Sequence, residues 1–220
     1  VSSVIASTRF SVLDRSRTRE GHEAHRALRD TVDLAREAEA LGFHRFWVSE
    51  HHGVPGVAGS APTVLAAAVA AATSTIRVGT GGVMLPNHRP LVVAEQFGVL
   101  ASLFPGRIDM GLGRSVGFTD GVRRALGHGK EDAEDFPGRP AELLGWIDGT
   151  QQAHPRVHAH PAEGLLSPRT SWRSGRARPS RPPPGSPSSS ATCAAGRRCC
   201  GPSRCTAAIS GRPPAPSGPR

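Results

Sequence analysis

Phe43-His44-Arg45-Phe46-Trp47-Val48-Ser49-Glu50-His51-His52 joins a short aromatic and β-branched run to one carboxylate and two imidazoles. The run reads as a strand with a polar triplet at its C-terminal end. On its N-terminal side, residues 23–42 carry Ala27, Leu28, Val32, Leu34, Ala35, Ala38 and Leu41 at helical spacing, with Gly42 as the stop. On its other side a Gly/Pro loop (53–59) leads to Ser60-Ala61-Pro62. These residues open a second predicted helix, 63–72, with Ser60 as its cap and Pro62 in the first turn. Residues 76–85 read as a strand interrupted by Gly79, Gly81 and Gly82, and residues 90–103 as a helix stopped by Phe104-Pro105-Gly106. A further strand at 107–112, a loop at 113–117 and a weaker helical region ending near Trp146 complete the pattern.

With a first strand at 10–13, the strand centres recur about every 31 to 36 residues, with a helix in each gap. Parallel strands need crossovers of that length, and repeated βα units build either an open doubly wound sheet or a (β/α)₈ barrel. Glu50-His51-His52, Pro86-Asn87-His88 and Arg114-Ser115 all fall just past strand ends. Barrel enzymes build their sites there. The predicted fold class is therefore α/β, an incomplete (β/α)₈ barrel of about four βα units.

The chain has 220 residues and a formal charge of +9, distributed unevenly. Residues 167–220 hold 10 Arg and no acidic residue, whereas residues 1–166 hold 17 basic and 18 acidic groups. The body is near neutral, so its charge does not point to nucleic acid. In the last 54 residues 28 are Pro, Gly or Ser and Ile209 is the lone large aliphatic, which predicts a disordered tail. The same Arg, Pro, Ser, Gly, Ala and Cys composition fits either GC-rich DNA read out of frame or a genuine low-complexity tail. The expected organisation is a barrel portion at 1–166 and a tail at 167–220. A polyanion-binding tail is the non-enzymatic alternative, although Trp172 is its one aromatic and it lacks Lys.

All four cysteines (Cys193, Cys199, Cys200, Cys205) lie in that tail, so the body offers no disulfide and no thiolate site. The spacing of the cysteines argues against zinc. Residues 1–10 lack a secretory pattern, and no apolar run approaches 18 residues. The expectation is a cytoplasmic protein without membrane contact.

Each motif has two readings. Adjacent imidazoles at a strand end suit a general base or donors in a cleft, or they merely cap local backbone. No third ligand stands at metal-binding spacing, so no metal is expected. Three glycines in one strand suit a flat ring stacked on it, or a bulge where another backbone comes close. Gly111-Leu112-Gly113-Arg114-Ser115-Val116-Gly117 has the wrong spacing for a dinucleotide fingerprint, but Arg114 in a glycine-lined loop suits a phosphate or is a surface arginine. The Ala-rich helix packs into the core or across a two-fold onto a second copy.

Taken in order, Ser11-Val12-Leu13-Asp14, Trp47-Val48-Ser49-Glu50-His51-His52, Val78-Gly79-Thr80-Gly81-Gly82-Val83-Met84-Leu85-Pro86-Asn87-His88, Ala94-Glu95-Gln96 and Phe104-Pro105-Gly106-Arg107-Ile108-Asp109-Met110-Gly111-Leu112-Gly113-Arg114 resemble the luciferase-like flavin monooxygenase superfamily. The resemblance runs from about residue 10 to about residue 164. It implies a barrel whose mouth binds reduced FMN, delivered by a separate reductase, for use with O2 on an organic substrate such as an aldehyde or other carbonyl. His51 falls at the family's catalytic histidine, with Glu50 and His52 as supporting residues. Gly81 and Gly82 fall at a non-prolyl cis peptide under the flavin, Arg114 at a flavin-phosphate contact, and Gly113 at the reactive cysteine of luciferases. The family's hydride-transfer branch implies a deazaflavin instead, and Glu-His-His favours FMN. Because such barrels are far longer than four βα units, this chain is expected to fold poorly or only as an oligomer and to retain little turnover.

Overall fold

The strands are short runs whose alternate side chains face opposite ways. In the computed structural model, residues 7–134, 136, 138–165 and the backbone of 173–174 are described. The strands are β1 (Ser11–Asp14), β2 (Arg45–Val48), β3 (Arg77–Thr80), β4 (Val83–Met84), β5 (Ile108–Asp109), β6 (Gly111–Gly113) and β7 (Arg173–Ser174). Between them stand α1 (Ala24–Ala40), α2 (Pro62–Ala72), α3 (Pro90–Leu103), α4 (Asp120–Ala125) and α5 (Gly138–Asp148), with a 3₁₀ turn at Leu85–Asn87. One sheet has the order β1-β2-β3-β5, the other β4-β6-β7, and every pair is parallel. The order follows the chain without the reversal that marks a doubly wound sheet.

Phe46, Val48 and Val78 are fully buried in a core with Ala35 and Ala38 of α1, Val69 and Ala70 of α2, and Val93 and Phe97 of α3. Burying each large side chain there contributes about 1.5–3 kcal/mol. The intervening positions, Leu13, Arg45, Trp47, Arg77 and Asp109, face the other way. Asp109 is fully buried and accepts from Arg45 Nε at 2.8 Å and from Arg77 Nε at 2.9 Å and Nη2 at 2.7 Å. Leu13, nearer the C-terminal end of the same face, is 56% exposed. On the Ala-rich α2, Leu65, Ala66, Val69 and Ala70 pack into the core, while Val64, Ala68 and Ala71 are exposed.

Three expectations need correction. The strand at 76–85 is two strands, β3 and β4, separated by a cis peptide at Gly81–Gly82, and the strand at 107–112 divides at Met110 into β5 and β6. Ser60 does not cap α2. Ala61 is the cap residue, without a side-chain bond, because Pro62 already occupies the first helical position. The predicted tail at 167–220 lies outside the described residues except for Arg173 and Ser174, whose backbone pairs with Gly111 and Leu112 of β6. A strand edge supplies unpaired N–H and C=O groups for such an addition whatever the composition of the added segment. Among the described residues no helix is long and apolar enough to cross a membrane.

Two polar clips fix the N-terminal side of the sheet. Arg107 donates to the carbonyls of Ala70, Thr73 and Ile76 and to Thr73 Oγ1, holding the C-terminus of α2 against β3. Glu39 of α1 accepts from the N–H groups of Ser74, Thr75 and Ile76 and from Thr75 Oγ1. Partial burial opposes its ionisation, but these donors outweigh that and lower its pKa to about 2. A depressed carboxylate pKa gives stability that is full above pH 4.5 and is lost as pH falls toward 2. Glu39→Gln is expected to cost about 1 kcal/mol at pH 7, screened by solvent, and to flatten the acid limb of stability between pH 4.5 and 2 in urea titrations. An unchanged acid limb would count against the clip.

Candidate functional site at the strand C-termini

Beyond β2 the chain carries its polar residues inward. Gly81 N–H donates to Val48 O at 2.6 Å, so the break between β3 and β4 is tied to the end of β2. Glu50 is 4% exposed. Its Oε1 accepts from His52 Nε2 at 2.7 Å and from His88 Nε2 at 2.9 Å, and its Oε2 accepts from the Met84 N–H at 2.8 Å. Burial raises the carboxyl pKa, but the bonds from His88, His52 and Met84 prevail and hold it below its ordinary value. An ionised carboxylate only accepts, so both imidazoles present a protonated Nε2 to it.

His51 points elsewhere. Its Nδ1 lies 3.2 Å from Ser49 Oγ, its N–H donates to Gly59 O at 2.9 Å, and its ring stacks on Phe118, with centroids 5.9 Å apart and planes at 9°. Burial chiefly lowers its pKa, with Arg15 and His52 adding repulsion that the charge of Glu50 only partly offsets. The ring is therefore held toward its neutral, basic form at neutral pH. Glu50, His51 and His52 are consecutive but do not form one cluster, because successive residues of extended backbone project to opposite sides. The partner that completes the Glu50 pair is His88, which was not among the predicted site residues. The available signal was its place in the polar segment Pro86-Asn87-His88, just past a strand end. Phe118 and Ser49 were also missed, since contact with an imidazole leaves no mark on composition.

The glycines resolve in favour of close packing. A Cβ at Gly79 would lie 2.5 Å from the Trp47 ring, at Gly81 2.8 Å from Leu13, and at Gly82 2.8 Å from the backbone of Gly111 and Leu112. The protein's own atoms thus account for all three, and a stacked ring is not needed to explain them. Gly113 is different: its nearest such contact, Val83 O at 3.6 Å, is ordinary. Arg114, the next residue, is exposed and makes no hydrogen bond or ion pair with another described residue. Met84 connects the two halves of the rim, since it pairs with Gly113 and donates to Glu50. Asn87 Oδ1 is buried without a hydrogen-bond partner among the described residues, while Asn87 Nδ2 approaches Met84 Sδ at 3.9 Å. An unpaired guanidinium, an orphaned buried acceptor and the Leu13–Trp47 surface beside the Gly81–Gly82 peptide fit a phosphate-bearing planar cofactor. Among the described residues no group of three or more His, Cys, Asp or Glu is placed to hold a metal ion.

The sequence profile of the luciferase-like monooxygenase family matches residues 8–185. That match extends past the boundary expected at residue 166. A luciferase-like monooxygenase of Escherichia coli K12 is 47% identical over 156 residues, covering 70% of this chain and 46% of that protein. The crystal structure of apo-MsnO8 aligns with a TM-score of 0.64 at 40% identity, covering 70% of this chain and 46% of that one. The oxygenating constituent of 3,6-diketocamphane monooxygenase from a Pseudomonas putida plasmid, solved with FMN, aligns with a TM-score of 0.54 at 21% identity. It covers 62% of this chain and 37% of that one, and it shows a shared fold. The chain spans about half the length of the curated relatives it matches.

Glu50→Gln replaces an acceptor-only group with one that must turn an N–H₂ toward one of its donors. It is expected to lower stability by about 1–3 kcal/mol at pH 7. Because the Glu50 pKa is depressed, the difference from the parent chain should shrink as pH falls through the carboxylate range. Urea midpoints at stepped pH measure this, and a constant difference would show that the charge is not what matters.

Proposed function

The chain belongs to the luciferase-like monooxygenase family, and we propose that it is the part of a flavin-dependent oxidoreductase that carries the catalytic base and the phosphate contact. The observation that carries this reading is the linkage Glu50–Met84–Gly113–Arg114, which sets a buried, ionised carboxylate and an unpaired guanidinium on one rim. His51 stands on the same rim as a neutral imidazole. The four βα units are read as the first part of a (β/α)₈ barrel, whose further units would cover the open face at Leu13 and Trp47.

Reduced FMN, when bound, supplies the electrons that activate O2 against an organic carbonyl substrate. Arg114 would hold the cofactor phosphate, and Gly113, whose nearest neighbour stands at an ordinary 3.6 Å, would leave room for the anion. Leu13 and Trp47 offer an apolar face beside the Gly81–Gly82 peptide, where a planar ring loses its water. Glu50 keeps His52 and His88 turned inward with their Nε2 protons engaged, and so holds the 3₁₀ turn and β4 in place. His51 would be the base, its ring nitrogen placed to take a proton from the substrate. A separate reductase delivers the reduced cofactor.

Anaerobic titration of the 220-residue chain with reduced FMN and, separately, with a reduced deazaflavin, followed by tryptophan quenching, tests the cofactor. FMN is expected to saturate, and Arg114→Ala is expected to weaken it about tenfold or more. Saturation by the deazaflavin alone would replace oxygen chemistry with hydride transfer. Saturation by neither in a chain that circular dichroism shows to be folded, or an Arg114→Ala chain that binds FMN as the parent does, would overturn the assignment.

A further inference from the structure

The Ser49 hydroxyl lies within hydrogen-bond range of two partners. It is 3.4 Å from the backbone carbonyl of Asp14, the last residue of β1, and 3.2 Å from His51 Nδ1. A hydroxyl has one proton, and a carbonyl oxygen can only accept. When the Ser49 hydroxyl donates to Asp14 O, an oxygen lone pair is left facing His51. That lone pair is satisfied only if His51 Nδ1 carries the imidazole proton.

We infer that Ser49 is a positioning residue that fixes His51 in the Nδ1–H tautomer and leaves Nε2 as the bare, proton-accepting atom of the site. This rests on the proposed role of His51 and deepens it, by naming the atom that takes the proton and the residue that selects it.

The surroundings prevent the ring from escaping this arrangement. Ser49 is 4% exposed, so water does not readily replace either of its partners. Asp14 is anchored in turn, its carboxylate accepting from Thr31 Oγ1 at 2.5 Å and from the Ser16 N–H at 3.2 Å, so the carbonyl that takes the Ser49 proton sits on a fixed segment. The Phe118 ring, itself largely exposed, lies nearly parallel to the imidazole. Phe118 is held from its own side, where Arg123 Nη1 donates to Gly117 O at 2.9 Å and Thr119 Oγ1 accepts the Val122 N–H at 3.2 Å. Gly117 has φ 115°, a conformation glycine adopts without strain, and this turn delivers Phe118 to His51. The charged groups around the ring, Arg15, Glu50 and His52, shift its basicity but make no bond to Nδ1 in competition with Ser49.

Nitrogen-15 NMR of the full chain labelled at histidine reads the tautomer directly, above the pH at which His51 titrates. The parent chain is expected to show Nδ1 protonated and Nε2 unprotonated. Ser49→Ala should move the ratio about tenfold toward Nε2–H, as expected for loss of one hydrogen bond. Ser49→Thr keeps the hydroxyl and should restore the parent ratio. A parent chain with Nε2 protonated, or a Ser49→Ala ratio equal to the parent's, overturns the assignment. Should Ser49→Ala not fold, the parent and Ser49→Thr spectra decide alone. A parent tautomer as stated, together with flavin turnover indifferent to His51→Gln, would leave this assignment standing and remove the proposed function instead.

Discussion

The rim depends on one buried charge. Glu50 has no exposed side-chain surface, and an ionised carboxylate removed from water is tolerated only when donors replace the water it has lost. Its three donors come from separate places: His52 just past β2, the N–H of Met84 in β4, and His88 after the 3₁₀ turn. Removing one partner from such a group typically costs about 3–5 kcal/mol. The carboxylate therefore acts as a tie between two βα units at the level where their strands end. The pairing of Met84 with Gly113 extends the tie to a third unit.

Below that level the sheet is held by fit. Trp47 lies across the position where a Cβ at Gly79 would be, and the backbone of β6 crosses the position where a Cβ at Gly82 would be. Adding even a methyl group at either place would force aside a ring or a main chain, neither of which can yield cheaply. Near the N-terminal end of the same face, Arg45 and Arg77 share Asp109. The helix-facing side is mostly apolar: Phe46, Val48 and Val78 meet alanines and aliphatic residues of α1 and α2, and its carboxylate, Asp14, is bonded to Thr31 of α1. One side of the sheet is thus largely an apolar core, and the other carries the Arg45–Asp109–Arg77 cluster, the Trp47 surface and the candidate site.

His51 stands outside the Glu50 network although it adjoins Glu50 in the chain. Its ring is governed by Ser49 and Phe118, one from its own loop and one from the segment that follows β6. The separation gives the rim two independent jobs. A charged, fully bonded group ties the strand ends together, and apart from it stands an imidazole that burial holds toward its neutral form.

Much of this was legible along the chain. The helical spacing at 23–42, the glycine stop at 42 and the proline before 91 mark elements that depend on local periodicity and backbone chemistry, and α1 and α3 lie where those signals place them. The run of polar residues past each strand end located the rim for the same reason, since strand direction and period follow from nearest neighbours. Tertiary contact alone decided the rest. The glycines at 79, 81 and 82 are consistent with a ligand or with close packing until Trp47, Leu13 and β6 are seen to fill the space. His88 joins Glu50 across 38 residues, and Phe118 reaches His51 across 67. No local propensity encodes such pairings, because they form only when a curved parallel sheet brings the ends of successive units side by side. The backbone of Arg173 and Ser174 joins β6 despite its Pro/Ser/Gly-rich setting for a related reason: an open strand edge recruits by main-chain hydrogen bonds, which composition does not record.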